Sequence, residues 1–397
     1  MNKVDLVFDF SNMAMRALFT CNYAGGSQVS TFDTDEECGV LIRKIAMDMA
    51  YVMRIFTPDR VIVACDARYP WRNKLYEDIE NESYKGNRQK DTTKNWTKIF
   101  EALNDYKKIL EEKGFIVSEI PTAEADDLAA LWKKNAFTNK DNIVLVSSDK
   151  DWTQLVEFEN NNFCVCFNPI ANNKGAKKLF VTEELLTWLN TTTTEKVDIF
   201  FSNYNSYKET LSHVSSKDSK IKFEIVSPQS VVLDKILCGD DGDNAPTFYE
   251  YYKDGKKTRM TPSRAKKLYE TLNVTTVRDL CEAAEANALL ECLEKIFKKK
   301  LDDIDINERL LRQRKLVELN PDLFPSDIVS GFTYQVKDAV YSVTNTSSIK
   351  LDDILKDTKF LDENYVKKGK AKENSIFDNL KSLEKYIGTQ PAANSLF

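Results

Sequence analysis

Residues 4–9 read VDLVFD, a short apolar run that ends in a carboxylate. The pattern recurs in VIVACD at 61–66 and in IVLVSSD at 143–149. Short apolar runs with polar residues on both sides predict strands buried on both faces. FIVSEI (115–120) is a further strand and leads into the helical EADDLAALWKK (124–134). FCVCFN (163–168) makes a fifth. Between them lie helical stretches: SNMAMRALF after the first strand and residues 36–55, with Leu41, Ile45, Met49 and Val52 inward. Residues 94–112 are a third, with Trp96, Phe100, Leu103 and Leu110 inward and Gly114 as its stop. Strands alternating with helices predict an α/β fold, a mostly parallel central sheet with helices on both faces.

In an open parallel sheet the strand carboxyl ends share one edge, where ligands bind. Asp9, Asp66 and Asp149 are expected there, with Asp151 two residues on. Glu124, Asp126 and Asp127 open the helix that follows the third strand, at the same edge. Asp240 and Asp243, in GDDGDN (239–244), complete the set if the later part of the chain folds over that edge. Each acid alone reads as a helix cap or a solvated turn. Together they would repel one another without cations. Hard oxygen ligands suit magnesium or manganese, and two such ions about 4 Å apart can activate water and stabilise a departing oxygen. GDDGDN lacks the spacing and final Glu of an EF-hand. The single histidine, His213, excludes a histidine-rich metal site.

The chain has 397 residues and a net charge of −6, long enough for more than one core. The eight cysteines have no zinc-ligand spacing, and Cys164 and Cys166 are expected on one side of a strand. There is no transmembrane-length apolar run and no leader-like start, so an intracellular, cytoplasmic protein is expected. Between Asp66 and the third helix stand Arg68, Arg72, Lys74, Lys85, Arg88 and Lys90, with Tyr69, Trp71, Tyr76 and Tyr84. Cations meet phosphates and aromatics stack on unpaired bases, although Glu77, Asp78, Glu80 and Glu82 also fit a plain surface helix. Lys85 and Arg88 in SYKGNR are expected to neutralise a scissile phosphate. Arg264, Lys266 and Lys267 in SRAKKLYE sit at a helix start suited to a duplex backbone.

The boundaries expected are an α/β core over 1–185 with an arch-like 68–92, a variable 186–227, a helical duplex-binding region over 228–345, and an accessory 346–397. The blocks VFDFSNMAMRALF, CDARYPWRNKLYEDIENESYKGNR, AEADDLAA, SSDKDWTQL and LCGDDGDN together resemble the flap endonuclease and 5'-to-3' exonuclease family, whose core is PIN-like. KTRMTPSRAKKL and KLVELNPDLFPSDI are most similar to the ribonuclease H branch of T-even bacteriophages.

The resemblance implies a helix-hairpin-helix-like second domain, although MTPSR replaces the usual glycine-rich turn. It implies Asp9, Asp66, Glu124, Asp126, Asp127, Asp149, Asp151, Asp240 and Asp243 as ligands of two Mg2+ or Mn2+ ions. Lys85, Arg88, Asp149 and Asp151 become catalytic, Arg68, Lys74, Tyr84, Lys90, Arg264, Lys266 and Lys267 DNA-binding, and Arg72 either structural or a DNA-binding phosphate contact. Implied partners are branched or 5'-ended duplex DNA and RNA/DNA hybrid. A sliding clamp docking ENSIFDNL or NSLF, a single-stranded DNA-binding protein and a monomeric state go with them. A binding module with little catalysis, or a PIN-type ribonuclease on single-stranded RNA, stays open as the alternative.

Overall fold

The computed structural model describes residues 3–22, 26–56, 58–76, 83–86, 91–170, 176–190, 220–253, 256–301 and 305–339. Strands β1 (Val4–Asp9), β2 (Arg60–Ala64), β3 (Ile116–Ser118) and β4 (Asn142–Val146) are the predicted apolar runs. β5 (Glu157–Glu159), β6 (Asn162–Asn168), β7 (Ala176–Val181) and β8 (Lys220–Ile225) extend the sheet. The order is β3-β2-β1-β4-β6-β7-β8, with β5 also paired to β6. All pairings from β3 to β6 along this path are parallel; β7 runs antiparallel to β6 and parallel to β8.

Alternate residues of each strand enter different cores, as a period of two requires. Leu6, Phe8, Val61, Val63, Val144 and Val146 face α1 (Phe10–Thr20), α2 (Asp35–Phe56) and α3 (Trp96–Glu112). Val7, Ile62, Ala64, Ile143 and Leu145 face α4 (Ala125–Thr138). Cys164 and Cys166 share that second face. All eight cysteines are unpaired thiols. On α3 the buried residues are Ile99, Ala102, Leu103, Tyr106 and Leu110, while Phe100 is 57 % exposed, so the expected inward face is rotated. No helix among the described residues is long and apolar enough to cross a membrane.

Three parts depart from expectation. Residues 220–225 form β8 rather than a linker, because they pair along the length of β7; the 191–219 part lies outside the described residues. Residues 250–259 hold a two-stranded ribbon, β9 (Glu250–Lys253) against β10 (Lys256–Arg259), where the sequence pattern shows only a break in the helical signal around 253–262. The span from Leu319 to Phe332 returns to the α/β core: Phe332 meets Trp132 edge-on at 5.1 Å and Gln335 bonds both Ser118 and the Val117 carbonyl. The helical region therefore ends near residue 318, not 345. It has its own core, built from helices Pro228–Cys238, Pro262–Leu272, Val277–Glu285, Ala288–Phe297 and Ile306–Val317. The accessory segment 346–397 and its clamp-like peptides lie outside the described residues.

At the amino edge of the sheet Asp5 is fully buried and accepts two hydrogen bonds from Arg60 at 2.6 and 2.7 Å. Arg60 also reaches Asp141 at 3.1 Å, which pins β1, β2 and the start of β4 together. Asp5→Ala removes the main partner of this guanidinium. It is expected to cost about 3 kcal/mol, the scale for breaking a buried pair. Urea unfolding read beside wild type checks this.

Candidate active site

Sheet order places the crevice. From β1 the chain moves outward through β2 to β3, then returns to the other side of β1 as β4. The carboxyl ends of β1 and β4 therefore flank a switch point, where parallel sheets bind ligands. Asp9 is the last residue of β1 and lies level with Ala64; Phe8 lies level with Val146. Asp66 and Asp149 follow a few residues beyond, so both arrive at the same edge.

Asp9 is buried and split between two tasks. One oxygen caps α1 through the Asn12 amide at 2.9 Å, and the other accepts from the Ser147 hydroxyl at 2.7 Å. Burial, and then the charge of Asp66, push its carboxyl up to about 7 against those hydrogen bonds, with Asp149 adding to the rise. Asp66 accepts from the Ala125 amide at 2.7 Å, which ties the β2 loop to the start of α4. Asp126 accepts from the Trp152 indole at 2.5 Å. Burial holds Asp126 well above the carboxylate range; Lys85 opposes it, and Asp149, Asp9 and Glu124 reinforce it. Asp149 caps the 3-10 turn Lys150–Leu155 by accepting from the Asp151 amide at 3.0 Å.

The acidic loop closes the other side. Gly239, at φ +74°, ends helix Pro228–Cys238; a Cβ there would meet the Ala245 carbonyl oxygen at 2.5 Å, so glycine is required. The turn brings Asp240 and Asp243 to Asp151, and one carboxylate oxygen from each lies within 4.8 Å of the others. Lys235 stands among them, 2.5 Å from Asp151 and paired with Asp240. Burial pushes Asp151 up to about 7, with Lys235 opposing. Burial opposes the charge on Lys235, yet Asp151 and Asp240 hold its ammonium above its ordinary range. Lys85, in the left-handed region at φ +56°, pairs with Glu124 and lies 3.8 Å from Asp243. Its amide also donates to the Asp243 carbonyl at 3.0 Å, which fastens the 83–86 turn to the acidic loop.

The structure thus brings Asp9, Asp66, Asp126, Asp149 and Asp151 into one charged cluster, with Glu124, Asp240 and Asp243 on its rim. The set suits hard divalent cations. It is all oxygen and partly buried, and burial together with neighbouring acids makes Asp9 and Asp126 hold their protons more tightly, which a bound cation would reverse. Two ammonium groups already sit on its carboxylates.

Asp127, Arg72 and Tyr84 need correction. Asp127 is wholly buried; it accepts from the Trp71 indole at 2.9 Å and the Glu124 amide at 3.0 Å and lies 2.8 Å from Arg72. It fastens the helix start and faces no cleft. Arg72 is 2 % exposed, 2.8 Å from Glu124, and donates to the Leu316 carbonyl at 3.1 Å, so it cannot meet DNA. Burial raises Glu124, but Arg72 and Lys85 outweigh it and hold the carboxyl below its usual value. Tyr84 is buried, with its hydroxyl between Glu124 at 3.0 Å and Asp243 at 3.1 Å and its ring beside Tyr76. It braces the site and offers no face to a base. Trp71 and Tyr76 are likewise interior, whereas Tyr69 is 66 % exposed under Arg68.

Lys74, Lys266 and Lys267 are exposed, and Arg264 lies over Phe297 at 5.0 Å. Arg88 and Lys90 lie outside the described residues. Sequence reasoning missed Lys235, Ser147 and Trp152. Only Lys235 carried a signal, standing in the last turn of the helix that enters GDDGDN.

Residues 5–185 match the family model described as the 5'-3' exonuclease, N-terminal resolvase-like domain. The match covers less than half of the 397-residue chain and assigns residues 5–185 to that domain family. Among solved structures it is similar to a bacteriophage T5 protein co-crystallised with metal ions, at 17 % identity, TM-score 0.46, over 90 % of this chain and 98 % of that one. A bacteriophage T5 flap endonuclease variant in a pseudo-enzyme-product complex with DNA and metal ions is 18 % identical, with TM-score 0.46 and the same 90 % and 98 % coverage. The bacteriophage T5 5'-exonuclease with zinc is 17 % identical, with TM-score 0.47 over 90 % and 98 %. No curated protein matches the chain in sequence.

If Arg72 is structural, Arg72→Ala leaves Glu124 and Asp127 buried with too little positive charge. Its expected cost is about 3–5 kcal/mol. Exposed Arg68→Ala and Lys74→Ala should each stay within about 0.5 kcal/mol. Thermal melts of the three variants check the contrast.

Proposed function

We propose that the chain is a divalent-metal-dependent 5' nuclease. It would hydrolyse phosphodiesters in 5'-ended and branched DNA duplexes and at RNA-primed ends, leaving 5'-phosphates. The observation that carries this reading is the convergence of Asp9, Asp66, Asp126, Asp149 and Asp151 at the switch point of the sheet. The nuclease domain family of residues 5–185 supports it.

Asp9, Asp66, Asp126, Asp149 and Asp151, with Glu124, Asp240 and Asp243, would hold two magnesium or manganese ions. Bound there, such ions supply Lewis-acid charge to the phosphodiester and make water a better nucleophile at neutral pH. The protein's own part is positional. Ser147 and Asn12 fix the Asp9 carboxylate, and Trp152 fixes Asp126. Lys85 and Lys235 face the cleft and would take the non-bridging oxygens of the scissile phosphate, stabilising charge that grows as the bond breaks. Tyr84 and Arg72 keep Glu124 from turning away. Action on RNA-primed ends fits the removal of primers during phage DNA replication, in the host cytoplasm. A monomer suffices, because every residue named comes from one chain.

Cleavage of end-labelled duplexes carrying a 5' flap or an RNA-primed 5' end tests this. Wild type should release 5' products in magnesium and none in EDTA. Asp149→Asn should lower the rate by ~100-fold or more, as expected when a residue supporting a catalytic metal is lost. Tight flap binding without any cleavage would leave a binding module instead.

A further inference from the structure

The turn that carries Lys85 has an uncommon backbone. The Gly86 amide donates to the Ser83 carbonyl at 2.9 Å, which closes a β-turn with Lys85 at its third place. Lys85 stands there at φ +56°, in the left-handed region that glycine or asparagine ordinarily fills. A long side chain in that region is strained, and the strain persists only where neighbours over-determine it. The neighbours here come from the acidic loop. The Lys85 amide donates to the Asp243 carbonyl at 3.0 Å, and the Asn244 side-chain amide donates to the Ser83 carbonyl at 2.9 Å. Among the described residues, these are the hydrogen bonds that join the main chain of the turn to the rest of the protein.

Asn244 suits this place. Its own φ is +57°, which asparagine tolerates better than most side chains. Its carbonyl accepts from the Tyr76 hydroxyl at 2.7 Å, so the residue is held from behind. The loop on which it stands closes on itself without the Asn244 side chain, because Asp240 and Ala245 exchange main-chain hydrogen bonds at 3.0 and 2.8 Å. The side chain therefore serves the turn rather than the loop. At the far end of the turn the Lys85 ammonium pairs with Glu124 and lies 4.9 Å from the centre of the Tyr84 ring.

We propose that Asn244 is a positioning residue for Lys85. Its amide holds the turn in the strained form that aims the Lys85 ammonium into the cleft. It also ties that aim to the loop carrying Asp240 and Asp243, so the ammonium that would meet a phosphate and the acids that would meet a cation keep one geometry. The proposal rests on the nuclease reading and adds a residue that acts through Lys85 alone.

Asn244→Gly tests this, because glycine keeps the left-handed backbone and removes only the side-chain amide. The variant is compared with wild type in labelling of Lys85 by an amine-reactive reagent without DNA, read by mass spectrometry. Mn2+ affinity and single-turnover cleavage of a 5'-flap duplex in magnesium are measured beside it. Lys85 should be labelled several-fold faster as its ammonium leaves Glu124, while Mn2+ affinity stays within about 2-fold of wild type. Cleavage should slow by roughly 10-fold or more, the scale for a misplaced reacting group. In a Lys85→Ala background Asn244→Gly should slow cleavage by no more than about 2-fold further, since nothing is left for it to position. Unchanged labelling, or an Mn2+ affinity that falls as far as the rate, overturns the proposal and leaves Asn244 a brace of the acidic loop. A wild type that cuts nothing in magnesium, with Lys85 still freed for labelling by Asn244→Gly, leaves the positioning role standing and removes the nuclease reading instead.

Discussion

A guanidinium with almost no water around it sits where three separate parts of the chain meet. Arg72 comes from the 3-10 turn Trp71–Tyr76, its acids Glu124 and Asp127 from the start of α4, and its carbonyl partner Leu316 from helix Ile306–Val317. Removing a charge from water is costly, and only close, nearly complete pairing offsets it. The pairing here is close, with both acids 2.8 Å away and the Trp71 ring 4.7 Å beneath. The consequence reaches the cleft. Glu124 is held at the rim, the turn that leads on to Tyr84 and Lys85 is fixed at its base, and the helical region is locked to the α/β core. Arg312 and Gln154 add to the same junction, each donating to a main-chain carbonyl across it.

The cleft obeys an opposite constraint. Burial and neighbouring acids raise Asp9 and Asp126, and among the described residues the cations facing the carboxylates are the lysines Lys85 and Lys235. An ammonium is compact and mobile on its stem, whereas the guanidinium forks rigidly. Lys85 and Lys235 can therefore yield the carboxylates to stronger cations and turn to a phosphate. Arg72 cannot, and its burial matches a structural post.

Much of this was legible in the sequence because it is local. Apolar runs such as VIVAC and IVLVSS declare strands buried on both faces, and a carboxylate at the end of each lands at one edge once the sheet is parallel. Asp9 serves as a helix cap and as a cluster member at once, so the ordinary reading and the functional one were both true of it. What stayed hidden depends on partners far along the chain. Arg72 looks like any arginine in a basic stretch until Glu124 and Leu316 are placed around it. Lys235 looks like a surface lysine until Asp151 arrives. β8 and the ribbon lie in polar, charged stretches whose strand character comes from a neighbour's edge. The return of Leu319–Phe332 to the core is set by Trp132 and Ser118, which lie some two hundred residues earlier.

Everything proposed for the cleft requires that the gathered carboxylates be a cation site. Titration of the protein with Mn2+, following free manganese by electron paramagnetic resonance, probes this on wild type and Asp126→Asn. A cation site predicts saturable binding by wild type, weakened by roughly 10-fold or more in the variant, with cation at about 100 times its dissociation constant adding ~2.7 kcal/mol of stability. Weak, non-saturating binding that is identical in the two proteins would contradict it.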